Sequence, residues 1–275
     1  MLTHRHLQNL QAAQMIQMSS SDVFQDPNDV LSLRLSFSRR LVQRNKNGMN
    51  LIEVWSQPAL LSFGSSPQSQ MLFVTGSVRQ QQQSLVIGSL LTDFIKGAGL
   101  SVLSVLQTAG LIAKVKTTTG QVLKFLAMQA LKANNDDLSQ MVSEDFNSAR
   151  IASASGSEQW EKVLMQALRP LDCVYAVIDL DVLQDYCESL QLVNSLEKVL
   201  KESLTVFKIV FLGWSANDLD PGSKSDLATL RLDSEPGLMP ILGRRRPTAR
   251  QRGGRHGAAR AGARFTATLS HRSRG

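Results

Sequence analysis

The stretch Met71–Ser84, MLFVTGSVRQQQQS, decides how this chain is read. Met71 to Thr75 is a short apolar run that suits a buried strand. Gly76 ends it and a polar loop follows. From about Gln81 to Phe94, the apolar residues Leu85, Val86, Leu90, Leu91 and Phe94 share one helical face. Strand, glycine turn and helix in succession form the setting of a phosphate-holding loop. A working loop of that kind follows G-x-x-x-x-G-K-[ST]. Its glycines let backbone N–H groups close on the phosphates, its lysine neutralises them and its hydroxyl holds magnesium. Counted from Gly76, the second glycine, the lysine and the hydroxyl positions are taken by Gln81, Gln82 and Gln83. Ser84 comes one residue late, and Arg79 is the loop's sole cation.

Downstream the pattern is regular. Gly97 and Gly99 close the helix, as glycines often do. LSVLSVL, Leu100 to Leu106, reads as a second strand, and TTTG at Thr117–Gly120 breaks the chain before a helix over Gln121–Ala133. Two further helices fit Asp137–Arg150 and Ser157–Leu168, the latter with a serine cap and with Glu158 and Glu161 near its start. CVYAVIDL, Cys173 to Leu180, is continuously apolar, as a strand buried on both faces must be. A helix over Val182–Glu202 and a strand over Val206–Leu212 follow. Strands alternating with helices predict an α/β fold, a three-layer sandwich around a parallel sheet. Beyond Leu212 the order fades, and Leu227–Leu242 is a weak pattern.

Upstream the reading is less regular. His6–Met18 suggests a short amphipathic helix, and Asp26-Pro27-Asn28-Asp29 a turn. Leu31, Leu33, Leu35 and Phe37 alternate as in a strand, whereas Leu41 and Val42 suit a helix. Leu51 to Leu60 suggests a helical entry broken by Pro58, with SFGSSPQSQ a loop before the central strand. The expected division is a loosely attached helical segment over 1–50, the α/β domain over 51–242 and a tail over 243–275.

The net charge of +7 belongs to that tail. Residues 243–275 hold ten Arg and no Asp, Glu or Lys, so the rest has 20 basic residues against 23 acidic ones, a net of −3. A basic domain surface that tracks nucleic acid is therefore not indicated for the body. The tail is expected to be disordered, and Arg- and Gly-rich sequence associates with RNA through phosphate and stacking contacts. Its abrupt onset equally fits a misread GC-rich frame. The two cysteines, Cys173 and Cys187, make neither a disulfide framework nor a four-ligand metal set, and both are expected to be reduced and half-buried. All four His lie in the terminal segments. No apolar run is long enough for a membrane helix, and no secretory leader is seen, so a cytoplasmic location is expected, or a nuclear one through the tail.

The order of elements resembles the core of a P-loop NTPase of the STAND class, near the NACHT-like proteins of filamentous fungi, in a degenerate version. The matching stretches are MLFVTGSVR, VLKFLAMQAL, SEQWEKVLMQAL, VYAVIDLDVL and FKIVFL, within Leu51–Leu212. The resemblance implies a P-loop-NTPase-like sheet in which an acid, matched by Asp179, ends the strand beside the phosphate loop and holds magnesium through water. Asp181 is offset by one from the neighbouring carboxylate that polarises the attacking water. Residues two apart share a face if a strand continues, so Asp179 and Asp181 point together in that case. The alternative is that they cap a strand end and the next helix. Ser215 stands where the family places a sensor residue. The family's fifth strand and helical lid are missing from the pattern, which makes the fold look truncated.

Three functions remain open on these residues. The first is a non-catalytic P-loop-like module that binds another protein, as a scaffold or interaction domain, without a cofactor. The second is a weak ATP-binding or ATPase switch using Gly76, Arg79 and Ser84 for nucleotide and Asp179 and Asp181 for magnesium. The third is RNA association through the arginine-rich tail.

Overall fold

Cys173–Asp179 forms the buried strand its composition predicts, here β3 of a computed structural model that describes residues 24–44, 54–76, 81–107, 117–134, 148–213 and 228–232. With β1 (Gln70–Thr75), β2 (Ser101–Val105), β4 (Val206–Leu212) and β5 (Ala228–Arg231) it makes a five-stranded sheet in the order β2-β3-β4-β1-β5. Every pairing is parallel. Side chains alternate across the central strands. Met71, Phe73, Val174, Ala176, Ile178, Phe207, Ile209 and Phe211 enter one core. Leu72, Val74, Tyr175, Val177, Val210 and Leu212 enter the other. Burial on both faces is why these strands read as unbroken apolar runs.

Seven α-helices surround the sheet among the described residues: α1 (Pro27–Arg44), α2 (Pro58–Ser65), α3 (Gln81–Gly97), α4 (Thr119–Ala133), α5 (Ser148–Ser153), α6 (Ser157–Leu168) and α7 (Tyr186–Glu202). Ile87, Leu91 and Ile95 of α3 cover one face together with Leu60 and Phe63 of α2. The other face is covered by α4, α6 and α7 through residues such as Leu123, Leu126, Leu164, Leu168, Leu192 and Leu196. This is the expected three-layer α/β arrangement. Gly88 lets α3 approach β4 closely: a Cβ there would lie 2.1 Å from Leu212 Cδ1.

Several expectations need correction. A fifth strand exists: Ala228–Arg231 pairs with β1, so the sheet is not cut off at Leu212. Its four residues are too few to give a sequence signal of their own. The strand carrying Asp179 shares one sheet with β1, as expected, although β4 lies between them and pairs with both. Val54 and Trp55 are helical and that stretch ends before Pro58, as expected, but Pro58 also opens α2, since a proline at the first helical position gives up no intrahelical bond. SFGSSPQSQ accordingly begins as helix, and the loop starts only at Ser66.

Residues 31–44 are helical throughout. Asp26 begins that helix, its Oδ1 accepting from Asn28 N at 2.8 Å and its carbonyl from Val30 N. This helix, α1, rests on α3. On α6, Gly156 and not Ser157 occupies the cap position. The helix expected from Val182 starts only at Tyr186, after a 3-10 turn over Leu180–Val182, with Asp185 accepting from Cys187 N as its cap. Cys173 is half-buried, but Cys187 is exposed. The expected helices at His6–Met18 and over most of Asp137–Arg150 lie outside the described residues, as does the tail. Among the described residues, no helix is long and apolar enough to cross a membrane.

Candidate functional site

The carboxyl ends of β1, β3 and β4 finish level with one another. Val74 and Asp179 each register with Leu212 of β4. Ligands of parallel α/β sheets bind outside these ends, where neighbouring connections leave toward opposite faces. Here α3 follows β1 onto one face and α7 follows β3 onto the other, with β4 between the two strands. Gly76 is buried just past the end of β1.

Asp179 is the last residue of β3 and is 1% exposed. Its Oδ1 accepts from the backbone N–H of Asp181 at 3.1 Å, and its Oδ2 from that of Gln107 at 3.3 Å. The first bond closes the 3-10 turn, for which Asp179 is the cap. The strand therefore does not continue to Asp181, and the same-face argument for two carboxylates does not apply. Burial pushes the Asp179 carboxyl up to about 7, with the nearby charge of Asp181 adding to it. Arg34 and the two backbone N–H groups pull the other way.

Two residues that sequence reasoning missed complete this end of the sheet. Gly213 follows β4 at φ +124°, and a Cβ there would lie 2.7 Å from Asp181 Oδ1. The positive φ favours glycine, and a Cβ would also force the Asp181 carboxylate to shift. Arg34 comes from α1 and is 3% exposed. Its Nε and Nη2 are buried with no hydrogen-bond partner, burial pushes the guanidinium below its usual value, and the charge of Asp179 opposes that. The signal that could have found Arg34 is its helical spacing. Val30, Arg34 and Ser38, four apart, are all buried on one stripe of α1. Read as a strand, the same segment puts Arg34 opposite its apolar neighbours.

Ser84 sits in the first turn of α3 with its Oγ buried and unpartnered. No hydrogen bond joins it to Asp179. Arg79, Trp214 and Ser215 lie outside the described residues. Among the described residues, no group of three or more His, Cys, Asp or Glu is placed to hold a metal ion. The structure thus brings Asp179, Asp181, Gly213, Gln107 and Arg34 to one place, with Gly76 and Ser84 on the flanking strand and helix.

No family model matches this chain, and no curated protein and no solved structure matches it either.

Proposed function

We propose that this chain is a non-catalytic P-loop-like module that serves as a protein-interaction or scaffold domain. The observation that carries this reading is the bonding of Asp179. A carboxylate that holds magnesium through water must be ionised and must offer its oxygens outward. Asp179 is 1% exposed, and each oxygen already accepts a backbone N–H. Burial pushes its carboxyl up to about 7, so it is only partly ionised near neutrality. The loop before α3 has glutamines where the second glycine, the lysine and the hydroxyl belong. The hydrophobic frame has been kept around a site whose charges are turned inward.

Titration of the purified protein with labelled ATP and magnesium tests this. The expected result is no saturable binding at millimolar nucleotide. Tight binding that disappears in Asp179→Ala would overturn it.

One observation favours a second reading, an ATP-binding switch. The Ser84 hydroxyl is buried without a partner in the first turn of α3, the helix that follows the Gly76 turn. A phosphate held at that helix N-terminus would give the hydroxyl an acceptor. In that case Gly76, Arg79 and Ser84 take the nucleotide and Asp179 and Asp181 the magnesium. The same titration with Ser84→Ala separates the two, since only the switch loses affinity.

A further inference from the structure

We propose that Gln129 is an edge guard: its side chain holds the outer edge of β2 closed against pairing with β2 of a second copy of this chain. The guard is distinct from the proposed function and stands whether or not nucleotide binds.

β2 has β3 on one side and, among the described residues, no strand on the other. The outer side of an edge strand is a row of backbone donors and acceptors that another chain can pair with. Ser104 is buried at this edge, 4% exposed. Its N–H donates to Gln129 Oε1 at 2.9 Å, and Gln129 Nε2 donates to its carbonyl at 3.0 Å. A side-chain amide offers the same donor and acceptor as a peptide unit. Gln129, reaching out from α4, therefore fills the place of one residue of a neighbouring strand. The backbone groups of a strand turn to its two sides alternately. Val102 thus presents its N–H and C=O outward as Ser104 does, while Leu103 and Val105 turn theirs to β3.

The strand has little protection of its own. Natural edges are blunted by charge, proline or a bulge. LSVLSVL, Leu100 to Leu106, has neither charge nor proline, and the whole stretch from Gly97 to Ala113 has neither. Short uncharged runs of this type pair readily with their own copies. The opposite edge strand, β5, at least ends on Arg231. Two copies of β2 set antiparallel about a two-fold axis offer each other identical outward groups two residues apart, which makes a second copy the natural occupant. The amide on Ser104 interrupts that pairing.

The test is light scattering of the full chain after size-exclusion, at loading concentrations from about 5 µM to about 100 µM. Gln129→Met keeps the length of the side chain and removes both bonds. Its mass is expected to climb with concentration toward twice that of the parent. Adding Val102→Pro removes an outward N–H, which a proline on an edge strand can do without breaking the ladder to β3. This double variant is expected to return to the parent's mass. Association through misfolding would survive the proline, so the reversal reports the edge itself. A Gln129→Met chain with the parent's mass at every concentration would overturn the guard. So would association that persists in the double variant.

Discussion

The carboxylate of Asp181 occupies the space that any side chain at residue 213 would need, with Oδ1 2.7 Å from where the Cβ of Gly213 would stand. The end of β4 and the turn after β3 are thereby fitted to each other. Gly213→Ala meets two obstacles, the φ of +124° and the carboxylate. The expected cost is about 2–3 kcal/mol in urea unfolding, from backbone strain and displacement of Asp181. An alanine variant as stable as the parent would show that Asp181 moves aside freely.

The acid of β3 makes stability depend on pH. Its carboxyl is raised from 3.8 to about 7, so the folded chain holds this proton more tightly than the unfolded one. The contribution of this group to stability is largest below the usual carboxylate range. It is lost as pH rises through the window from about 4 to about 7, and it is level above that. The difference is on the order of 4 kcal/mol. Urea midpoints at about pH 5 and about pH 8 are expected to differ more for the parent than for Asp179→Asn. Parallel profiles would mean that Asp179 is ionised throughout.

Lys208 is a fully buried lysine in the middle of the sheet. It stands on the same face of β4 as Val210 and Leu212, by the alternation of the strand. Its Nζ donates to the carbonyls of Phe63 at 2.7 Å and Gly64 at 3.0 Å, at the end of α2. Those carbonyls have no intrahelical donor, and a cation there also suits the helix dipole. The rings of Phe63 and Tyr175 lie 5.6 and 5.4 Å from the same Nζ. Lys208→Met keeps the apolar stem and strands two acceptors, for an expected loss of about 2–4 kcal/mol. The unfolding midpoint in urea reads it, and an unchanged midpoint would mean that water serves α2 equally well.

The tail over 243–275 carries ten Arg and no acid. Any affinity for single-stranded RNA is expected to reside there and to fall steeply with salt. Fluorescence anisotropy with the full chain and with a chain ending at Leu242 measures it. Binding that survives the deletion would move the RNA site into the domain.

Much of the sheet was legible because it is local. Val206–Leu212 and the start of β3 carry their boundaries in a run of apolar residues that only a doubly buried strand tolerates. The loop after Gly76 was legible as chemistry, since a missing lysine is missing in any fold. The misreadings were also local. Alternating leucines suggested a strand where Asp26 and Pro27 start a helix, and the alternation was accidental, since Leu31 is buried and Leu33 exposed. At Asp179 the spacing of two carboxylates was visible, but not that the chain turns between them.

The sequence by itself determined that strands and helices alternate around a two-faced core, and that the loop after β1 lacks the usual phosphate-binding residues. Those facts depend on side-chain type and on spacing within a few residues. Only the tertiary structure decided that β4 separates β1 from β3, that a short β5 extends the sheet, and that Gln107 and Gly213 meet Asp179 and its turn. Those contacts join residues far apart in the chain, and they form because buried charge and buried N–H groups must find partners wherever the fold places them.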